Sequence, residues 1–142
     1  MERRTRQRDA IREAVTRAGR PLTPPEILEA ARAEIPNLGL ATVYRTLKLL
    51  VDAEAVVQVE LPGEPTRYEP RPARGEHHHH FRCRTCATVY DIEGCPGGLG
   101  KLLPPGFTLE SHDITLYGEC DRCSDGPERL RGSRGRGGDR AG

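Results

Sequence analysis

The stretch TPPEILEAARAEIPNLGLATVYRTLKLL, residues 23–50, decides the fold of the first half of the chain. Its opening Thr-Pro-Pro-Glu predicts a helix start in which Thr23 is the N-cap, Pro24 is the first helical residue and Glu26 completes a capping box. Apolar residues then recur at helical spacing and predict a buried stripe made of Ile27, Leu28, Ala31 and Ile35. Because residues 36–39 are Pro-Asn-Leu-Gly, we expect the helix to end before them.

The same periodicity predicts two more helices, over residues 6–18 and 41–53. Their apolar positions are Ala10, Ile11, Ala14, Val15 and Ala18 in the first, and Val43, Leu47, Leu50 and Val51 in the second. Residues 56–61 and 66–68 are β-rich and flank the turn sequence Pro-Gly-Glu-Pro, which predicts a hairpin. Three helices followed by a hairpin predict a winged helix-turn-helix.

The predicted helix at residues 41–53 would be the recognition helix of this motif, whose first turns enter the major groove of DNA. Thr42, Tyr44 and Arg45 lie in those turns. Arginine can bind guanine or phosphate, and tyrosine offers a ring to thymine methyls and a hydroxyl to phosphate. The alternative is that these residues are only the solvated face of an amphipathic helix. The basic first helix and the adjoining hairpin favour double-stranded DNA as the partner.

The formal net charge of +1 conceals an uneven distribution. Residues 1–20 carry seven arginines against three acidic residues, and residues 124–142 carry five arginines against three. The middle of the chain is therefore acidic, and the basic start suggests an anionic partner at that end. Codon bias is an alternative explanation, since 20 of the 22 basic residues are arginine.

The composition also limits the classes of protein to consider. With 142 residues and only 4% aromatic residues, the chain cannot form a large core, so we expect a metal, a disulfide or a partner subunit to add stability. No apolar run is long enough to span a membrane, and the charged N-terminus lacks the apolar region of a secretory signal. These features predict a cytoplasmic protein without a membrane partner.

The second half of the chain contains every cysteine and every histidine, all of them between His77 and Cys123. Residues 70–76 predict a linker because they contain two prolines, a glycine and two arginines. The tail at residues 124–142 has almost no apolar residues and is predicted to be disordered. Strands are predicted at residues 80–83, 87–92 and 107–117, with a weakly helical, glycine-rich stretch at residues 95–103.

Two Cys-x-x-Cys pairs predict a structural zinc site. Cys83 and Cys86 form the first pair, and Cys120 and Cys123 form the second. Four thiolates close a tetrahedral Zn²⁺ site, and such a site supplies folding energy to a domain with a small core. Disulfides are the alternative, which the expected reducing compartment disfavours.

Four consecutive histidines, residues 77–80, lie just before Cys83, the first cysteine of the chain. On a strand, successive side chains point to opposite faces, so the run divides into two pairs that can begin two metal sites. The expected sets are Glu69, His78, His80 and Asp91 on one face, and His77, His79 and His112 on the other. Imidazole with carboxylate suits Zn²⁺, Fe²⁺, Mn²⁺ or Ni²⁺. A solvated polar run is the alternative.

No pattern of catalytic residues is evident. Neither a His-Glu-x-x-His zinc-protease motif nor the His-x-Glu of deaminases occurs, and no nucleophile triad or phosphate-binding glycine loop stands out. We therefore expect that the protein is not an enzyme. Cys95, in Glu-Gly-Cys-Pro, is compatible with an extra metal ligand, a redox sensor, a Cys-Pro haem motif or a structurally incidental thiol.

Three segments together resemble the ferric-uptake-regulator (Fur) family of bacterial metal-dependent repressors: GLATVYRTL at 39–47, HHHHFRCRTC at 77–86 and HDITLYGECDRC at 112–123. The resemblance implies an α+β fold. Its parts would be a winged-helix DNA-binding domain at residues 1–69, a hinge at 70–76, an α/β dimerisation domain with structural zinc at 77–123, and the tail at 124–142. It also implies a homodimer that binds palindromic operators when a second divalent metal, Zn²⁺, Fe²⁺ or Mn²⁺, is bound.

The resemblance also implies roles for individual residues. The four paired cysteines match structural zinc ligands, and Tyr44 and Arg45 match residues that touch DNA. The regulatory metal positions are Glu69, His78, His80 and Asp91, and the additional site has His77, His79 and His112 with Glu93 as the substitute for an acidic ligand. Pro21 stands where many members have a histidine that completes the regulatory site.

Two other functions remain compatible with these residues. A peroxide- or thiol-sensing regulator would have the same fold, with iron or a cysteine as the reactive group. A metal-storage or metal-chaperone protein would use the same histidines and cysteines without DNA, but it would have no need of residues 5–69. Oxidised histidine after peroxide treatment would indicate iron-based sensing, whereas oxidised cysteine with zinc loss would indicate a thiol sensor.

Overall fold

The structure is a computed structural model that describes residues 2–73 and 77–124. In the first half of the chain, three helices precede a two-stranded hairpin; the elements are α1 (Glu2–Ala18), α2 (Pro24–Ala31), α3 (Leu40–Asp52), β1 (Val56–Val59) and β2 (Arg67–Pro70). In the second half, two strands, a short 3₁₀ helix and a third strand follow one another along the chain. They are β3 (His79–Cys83), β4 (Val89–Ile92), the 3₁₀ helix (Leu99–Leu102) and β5 (Thr115–Gly118).

The predicted start of α2 is confirmed. The Glu26 backbone N–H donates to the Thr23 hydroxyl at 3.4 Å, and the Glu26 carboxylate accepts from the Thr23 backbone N–H at 2.9 Å. The helix ends at Ala31, so Ile35 lies in the following turn, where it still packs against the core. Helix α1 begins earlier than predicted, at Glu2.

The apolar positions predicted from periodicity form the core of the winged helix. Its fully buried side chains include Ile11, Val15, Ile27, Val43 and Leu47, and Leu38 from the loop before α3 joins them without having been predicted. Strands β1 and β2 pair antiparallel, with Val59 opposite Arg67, and close one side of this core. Leu22 and Tyr68 exchange two backbone hydrogen bonds of 2.9 and 2.8 Å, which attach the segment before α2 to β2.

The second half forms a three-stranded sheet in the order β4-β3-β5. Strand β3 pairs antiparallel with β4 and parallel with β5, so His80 lies opposite Asp91 on one side and Thr115 on the other. The long strand predicted at residues 107–117 was wrong in length, because only residues 115–118 are strand. Since β3 has five residues, it offers backbone partners to a short segment only. The glycine-rich stretch contains the four-residue 3₁₀ helix.

The hairpin packs directly on this sheet, and we call this the wing–sheet contact. Glu64, in the hairpin turn, lies 2.7 Å from the Arg82 guanidinium on β3 and 3.1 Å from Arg67. The Arg67 guanidinium also donates to the Ala87 carbonyl at 3.0 Å. A small apolar cluster completes the contact, consisting of Val59, Leu61 and Val89. The contact fixes β2 beside the histidine-bearing strand.

Candidate metal centres and DNA interface

The four paired cysteines meet beyond the ends of two neighbouring strands. Cys83 ends β3 and lies opposite Gly118 of the parallel strand β5, so the two Cys-x-x-Cys turns that follow these strands converge. The four sulfur atoms lie within 4.8 Å of one another. The Cys86 and Cys120 sulfurs are 3.8 Å apart, which excludes a disulfide between them.

This sulfur cluster fits Zn²⁺. A tetrahedron with Zn–S bonds of about 2.3 Å has an edge of about 3.8 Å, which equals the Cys86–Cys120 separation of 3.8 Å. The Cys83 sulfur accepts backbone N–H groups of Cys86 and Cys120, both at 3.4 Å. Although burial opposes ionisation, these N–H groups lower the pKa of Cys83 to about 6. Burial and the neighbouring cysteines raise the pKa of Cys123 to about 12, so without a cation the cluster does not ionise fully.

A second cluster joins the hairpin to the C-terminal sheet, and we call it the regulatory cluster. It contains Glu69 on β2, His80 on β3 and Asp91 on β4, whose ligand atoms lie within 4.8 Å of one another. His78, just before β3, lies beside the two carboxylates. The His80 Nε2 atom lies 3.3 Å from carboxylate oxygens of both Glu69 and Asp91. The His78 Nδ1 atom lies 3.7 Å from Asp91 and 3.9 Å from Glu69. Two imidazoles and two carboxylates therefore converge, as the sequence predicts.

The polar atoms of the regulatory cluster are incompletely paired. Glu69 is only 3% exposed, yet its Oε1 atom, with Nδ1 of His78 and Oδ1 of Asp91, is buried without a well-aligned hydrogen bond. Burial raises the pKa of Glu69. Burial also opposes charge on His80, but hydrogen bonds to Asp91 and Glu69 outweigh it and raise the pKa of His80 to about 9. A divalent cation with nitrogen and oxygen ligands fits these unpaired atoms.

A third cluster lies on the other face of β3. It contains His77, His79, His112 and Cys95, whose ligand atoms lie within 4.8 Å of one another. The Cys95 sulfur is 2.9 Å from His112 Nε2 and 3.8 Å from His77 Nε2. His79 is 2% exposed, and burial followed by the two neighbouring imidazoles lowers its pKa, so its ring is neutral.

Glu93, expected to complete this third cluster, is outside it. Its side chain is exposed, and Cys95 occupies the fourth position instead. The strand register explains why Glu93 lies outside the cluster. His79 lies opposite Ile92, and His80 lies opposite Asp91. Continued alternation after β4 puts residue 93 on the face of Asp91, and Gly94, with φ 93°, then turns the chain. Cys95 lies three residues after the end of β4, and an extra metal ligand was one of the roles that its sequence context left open.

The predicted DNA-facing residues lie at the start of α3. Tyr44 is 50% exposed, Arg45 is exposed, and Thr42 is partly buried. The Arg45 guanidinium donates to the Thr42 hydroxyl at 3.1 Å. Arg4 and Arg8 of α1 line one open groove together with Thr42 and Arg45. These two α1 arginines were not singled out from the sequence, although their i, i+4 spacing in a basic segment indicates one positively charged face.

Comparison with known proteins identifies the family. The profile of the ferric uptake regulator family matches residues 2–117, most of the chain. The chain belongs to the ferric uptake regulator family. Its relatives include ferric uptake regulation protein 2 of Mycolicibacterium fortuitum, 30% identical over 130 residues that cover 88% of each chain. The transcriptional regulator FurA of Mycobacterium tuberculosis is 34% identical over 125 residues, 84% of this chain and 82% of FurA.

Solved structures agree with this membership. The Helicobacter pylori ferric uptake regulator Fur, whose structure is described as revealing three functional metal binding sites, is 27% identical with a TM-score of 0.64. That similarity covers 85% of this chain and 81% of the other. A zinc-bound manganese uptake regulator is 26% identical with a TM-score of 0.67, covering 80% of this chain and 87% of the other.

Family membership confirms the predicted α+β fold with a winged helix and a dimerisation domain. Fur-family proteins are metal-responsive transcription regulators that bind DNA, so this chain belongs to that class of protein. Within residues 2–73 and 77–124, no helix has the length and apolar character needed to cross a membrane. Part of the predicted hinge, residues 74–76, and the predicted tail from residue 125 onward lie outside the described residues.

Proposed function

We propose that this chain is a metal-dependent transcriptional repressor that acts in the cytoplasm as a homodimer on palindromic operators and controls genes of metal uptake or homeostasis. The observation that carries the proposal is the composition of the regulatory cluster. Glu69 belongs to the winged-helix half, whereas His78, His80 and Asp91 belong to the C-terminal half. A cation bound by all four residues therefore restrains the two halves relative to each other. The protein would act by binding DNA rather than by catalysis.

The metal switch follows from differential binding. A cation favours the arrangement in which all four ligands can reach it, so metal binding shifts the population toward that arrangement. In a dimer, this restricts the spacing of the two α3 helices, which must match successive major-groove faces of the operator. Zn²⁺, Fe²⁺ and Mn²⁺ all suit the mixed imidazole and carboxylate ligands. The similarity to iron- and manganese-uptake regulators supports this range of metals.

Structural zinc is the second element of the proposal. Cys83, Cys86, Cys120 and Cys123 would hold Zn²⁺ in closed tetrahedral coordination, which leaves no open position for substrate. The ion would tie the end of β3 to the end of β5 and neutralise thiolates that burial otherwise disfavours. Its role is therefore to stabilise the C-terminal half.

Exposed apolar side chains support homodimer formation. They lie in or near β5 and the segment that precedes it: Leu102, Phe107, Leu109, Leu116 and Tyr117. Strand β5 is also an edge strand in the order β4-β3-β5. An edge strand with apolar neighbours is a surface that another copy of the chain can cover. We infer that the two C-terminal halves form the dimer interface.

The DNA contacts would come from α3 and α1. Tyr44 and Arg45 project from the first turns of α3, with Thr42 beside them, and are proposed to contact base edges or phosphates. Arg4 and Arg8 lie along the same groove and are proposed to bind the phosphate backbone. Phosphate contacts raise affinity for any sequence, whereas base contacts select the operator.

The test begins with selection of bound sequences from a random duplex DNA library, using zinc-loaded protein with added Mn²⁺, Fe²⁺ or Zn²⁺. We expect one metal to enrich a palindromic site. Fluorescence anisotropy on that site should then show affinity that is lost with a chelator and lost in His80→Ala, but kept in the control Glu93→Gln. Arg45→Ala should weaken binding by about 1–3 kcal/mol. Operator affinity that is independent of metal would contradict the switch.

A further inference from the structure

The hairpin beside the DNA-facing helix offers no free cation to DNA. Strand β1 follows α3 after a short loop and packs against it, so DNA held by α3 would pass close to the hairpin. Within residues 56–70, all of them described, Arg67 is the one basic residue. Its buried guanidinium lies 3.1 Å from Glu64 and donates to the Ala87 carbonyl at 3.0 Å. Since Glu60 is exposed, the surface of the hairpin is acidic.

The described fold ends beside this hairpin. Ala87, which binds Arg67, directly follows Cys86. The Cys86 sulfur lies 3.8 Å from the Cys120 sulfur. The hydroxyl and the backbone N–H of Ser124 both donate to the Cys120 carbonyl at 2.9 Å. Ser124, where the described residues end, is therefore fixed at the four-cysteine cluster, a few contacts away from the hairpin.

The sequence after Ser124 is rich in arginine. Residues 129–140, which we call the arginine–glycine segment, read RLRGSRGRGGDR. Five arginines stand against one aspartate, so the segment has a net charge of +4. Arginine binds phosphate through two parallel hydrogen bonds and keeps its charge at physiological pH. Arginines separated by glycine and serine, with Leu130 as the one apolar residue, therefore favour a nucleic-acid backbone as the partner.

The length of the chain after Ser124 is sufficient for such a contact. Arg140 lies 16 residues beyond Ser124. A chain of that length spans at most about 50 Å, whereas a domain of about 120 residues has a radius of gyration of about 14 Å. The arginines are therefore able to reach DNA beside the hairpin from the point where Ser124 is fixed.

We propose that the arginine–glycine segment binds the phosphate backbone of double-stranded DNA next to the hairpin and supplies the cations that the hairpin lacks. This inference rests on the proposed function, because the DNA is the duplex that α3 holds. A homodimer carries two such segments, so both flanks of a palindromic site would be contacted. Phosphate contacts carry no sequence information, so the segment raises the affinity for operator and for unrelated duplex by the same factor.

The acidic middle of the chain is the competing partner for these arginines. Residues 21–123 carry a net charge of −5. Part of the acidic surface is already paired, as in the contact of Glu64 with Arg82. Duplex DNA has one negative charge per about 1.7 Å of its axis and releases bound counterions when arginine neutralises it. DNA is therefore the favoured partner. Binding of the segment to the protein instead would make removal of its charge strengthen DNA binding.

The experiment compares two full-length variants in which the five arginines of the segment are replaced, Arg→Gln in one and Arg→Lys in the other. The positions are Arg129, Arg131, Arg134, Arg136 and Arg140. Both proteins carry Zn²⁺ in the four-cysteine site and the metal that selects the operator. Fluorescence anisotropy measures binding to the operator and to an unrelated duplex between about 50 and 200 mM NaCl.

The glutamine variant should bind both duplexes about tenfold more weakly at the lowest salt concentration. Its plot of log affinity against log salt concentration should be less steep by about 0.9 for each phosphate contact that is lost. The lysine variant is the matched control, because it keeps the charge, and it should retain the slope of the unaltered protein.

Photo-crosslinking gives a second readout that leaves the arginines in place. Leu130→p-benzoylphenylalanine should crosslink to duplex DNA at low salt and lose the crosslink at high salt. Crosslinks to protein alone, equal salt slopes for the glutamine variant and the unaltered protein, or tighter DNA binding by the glutamine variant would each overturn the proposal. The ratio of operator affinity to unrelated-duplex affinity tests the repressor proposal separately, so unchanged slopes with an intact ratio refute this inference alone.

Discussion

The four consecutive histidines are the most informative residues of the chain, because their alternation separates two kinds of site. His80 faces Glu69 and Asp91, whereas His79 faces His112 and a cysteine. The same imidazole group therefore lies beside negatively charged carboxylates at His80 and beside other imidazoles at His79. Next to carboxylates the imidazole is protonated at neutral pH, and among other imidazoles it is neutral.

Metal affinity at the regulatory cluster should rise with pH. The pKa of His80 is about 9, because hydrogen bonds to Asp91 and Glu69 outweigh burial, so a metal must displace a proton at neutral pH. From pH 7 to pH 9 we expect Mn²⁺ affinity to increase by about tenfold per pH unit and then to level off. Electron paramagnetic resonance of free Mn²⁺, with zinc already in the four-cysteine site, measures this affinity.

The raised pKa of His80 has the opposite effect on stability when the regulatory cluster holds no metal and zinc still fills the four-cysteine site. Since the folded-state pKa of His80 is raised above its unfolded value, its ion pairs stabilise the fold fully below about pH 6.5. That contribution is lost as the pH rises toward about 9. Urea unfolding of His80→Ala, with zinc only in the four-cysteine site, should lack this pH dependence. Mn²⁺ affinity that does not change between pH 7 and pH 9 would contradict the assigned role of His80.

Replacing Pro21 should strengthen the regulatory cluster. Leu22 pairs antiparallel with Tyr68, so the next pair in that register sets residue 21 opposite Glu69. Pro21 is fully buried and offers no ligand atom. We expect Pro21→His to add an imidazole beside Glu69 and to tighten metal binding about tenfold, about 1.4 kcal/mol. Mn²⁺ titration against the control Pro21→Ala checks this, and equal affinities would argue against the pairing.

Among the elements, the hairpin does more than flank the helices. Through Glu64 and Arg67 it contacts β3 and the turn before β4, and through Glu69 it supplies a metal ligand. The Glu64–Arg82 distance of 2.7 Å marks an ion pair, but the Arg82 Nε–H lacks the alignment of a hydrogen bond. The wing–sheet contact therefore holds the two halves together partly without metal.

Breaking the wing–sheet contact should make the arrangement of the two halves depend more strongly on metal. We expect Arg82→Gln to lower the free energy of unfolding by about 1 kcal/mol. It should also widen the distance distribution between spin labels in the two halves when zinc fills only the four-cysteine site. Metal should restore the narrow distribution. Lys48→Gln is the matched control, because it removes an exposed helix pair with Asp52. Equal distributions in both variants would show that the contact does not restrain the halves.

At the scale of the whole molecule, the two halves differ in how much buried apolar surface stabilises them. The winged helix has a continuous apolar core that includes Ile11, Ile27 and Val43, whereas the C-terminal half has few buried apolar residues. A metal that binds the folded form compensates for such a small core. The four-cysteine site is therefore expected to determine whether the C-terminal half folds.

Removing structural zinc should unfold the C-terminal half selectively. We expect Cys86→Ser, or prolonged chelation, to dissociate the dimer while the winged helix keeps its helical circular dichroism. The loss is large because structural zinc contributes about 10–16 kcal/mol of binding free energy in small domains. Analytical ultracentrifugation and thermal unfolding measure both effects. Cys95→Ser is the control from outside this site, and a dimer that persists in Cys86→Ser would refute the role of the zinc.

The sequence alone determined the elements whose causes are local. Helix periodicity, the Thr23–Glu26 capping box and the turn between β1 and β2 depend on neighbours in the chain, and each is present in the structure. The separation of the histidines into two faces is also local, because it follows from strand alternation. The two Cys-x-x-Cys pairs predicted the four-cysteine cluster, because this spacing of thiolates is typical of zinc sites.

Only the tertiary structure decided what depends on distant segments. The length of β5 was set by the five-residue partner β3, and the fourth ligand of the third cluster was set by a glycine turn after β4. The resemblance to the family pointed to Glu93 as the substitute for an acidic ligand, but register and backbone direction bring Cys95 to the site. Residues far apart in the chain meet through packing, and neither spacing nor residue type encodes that distance.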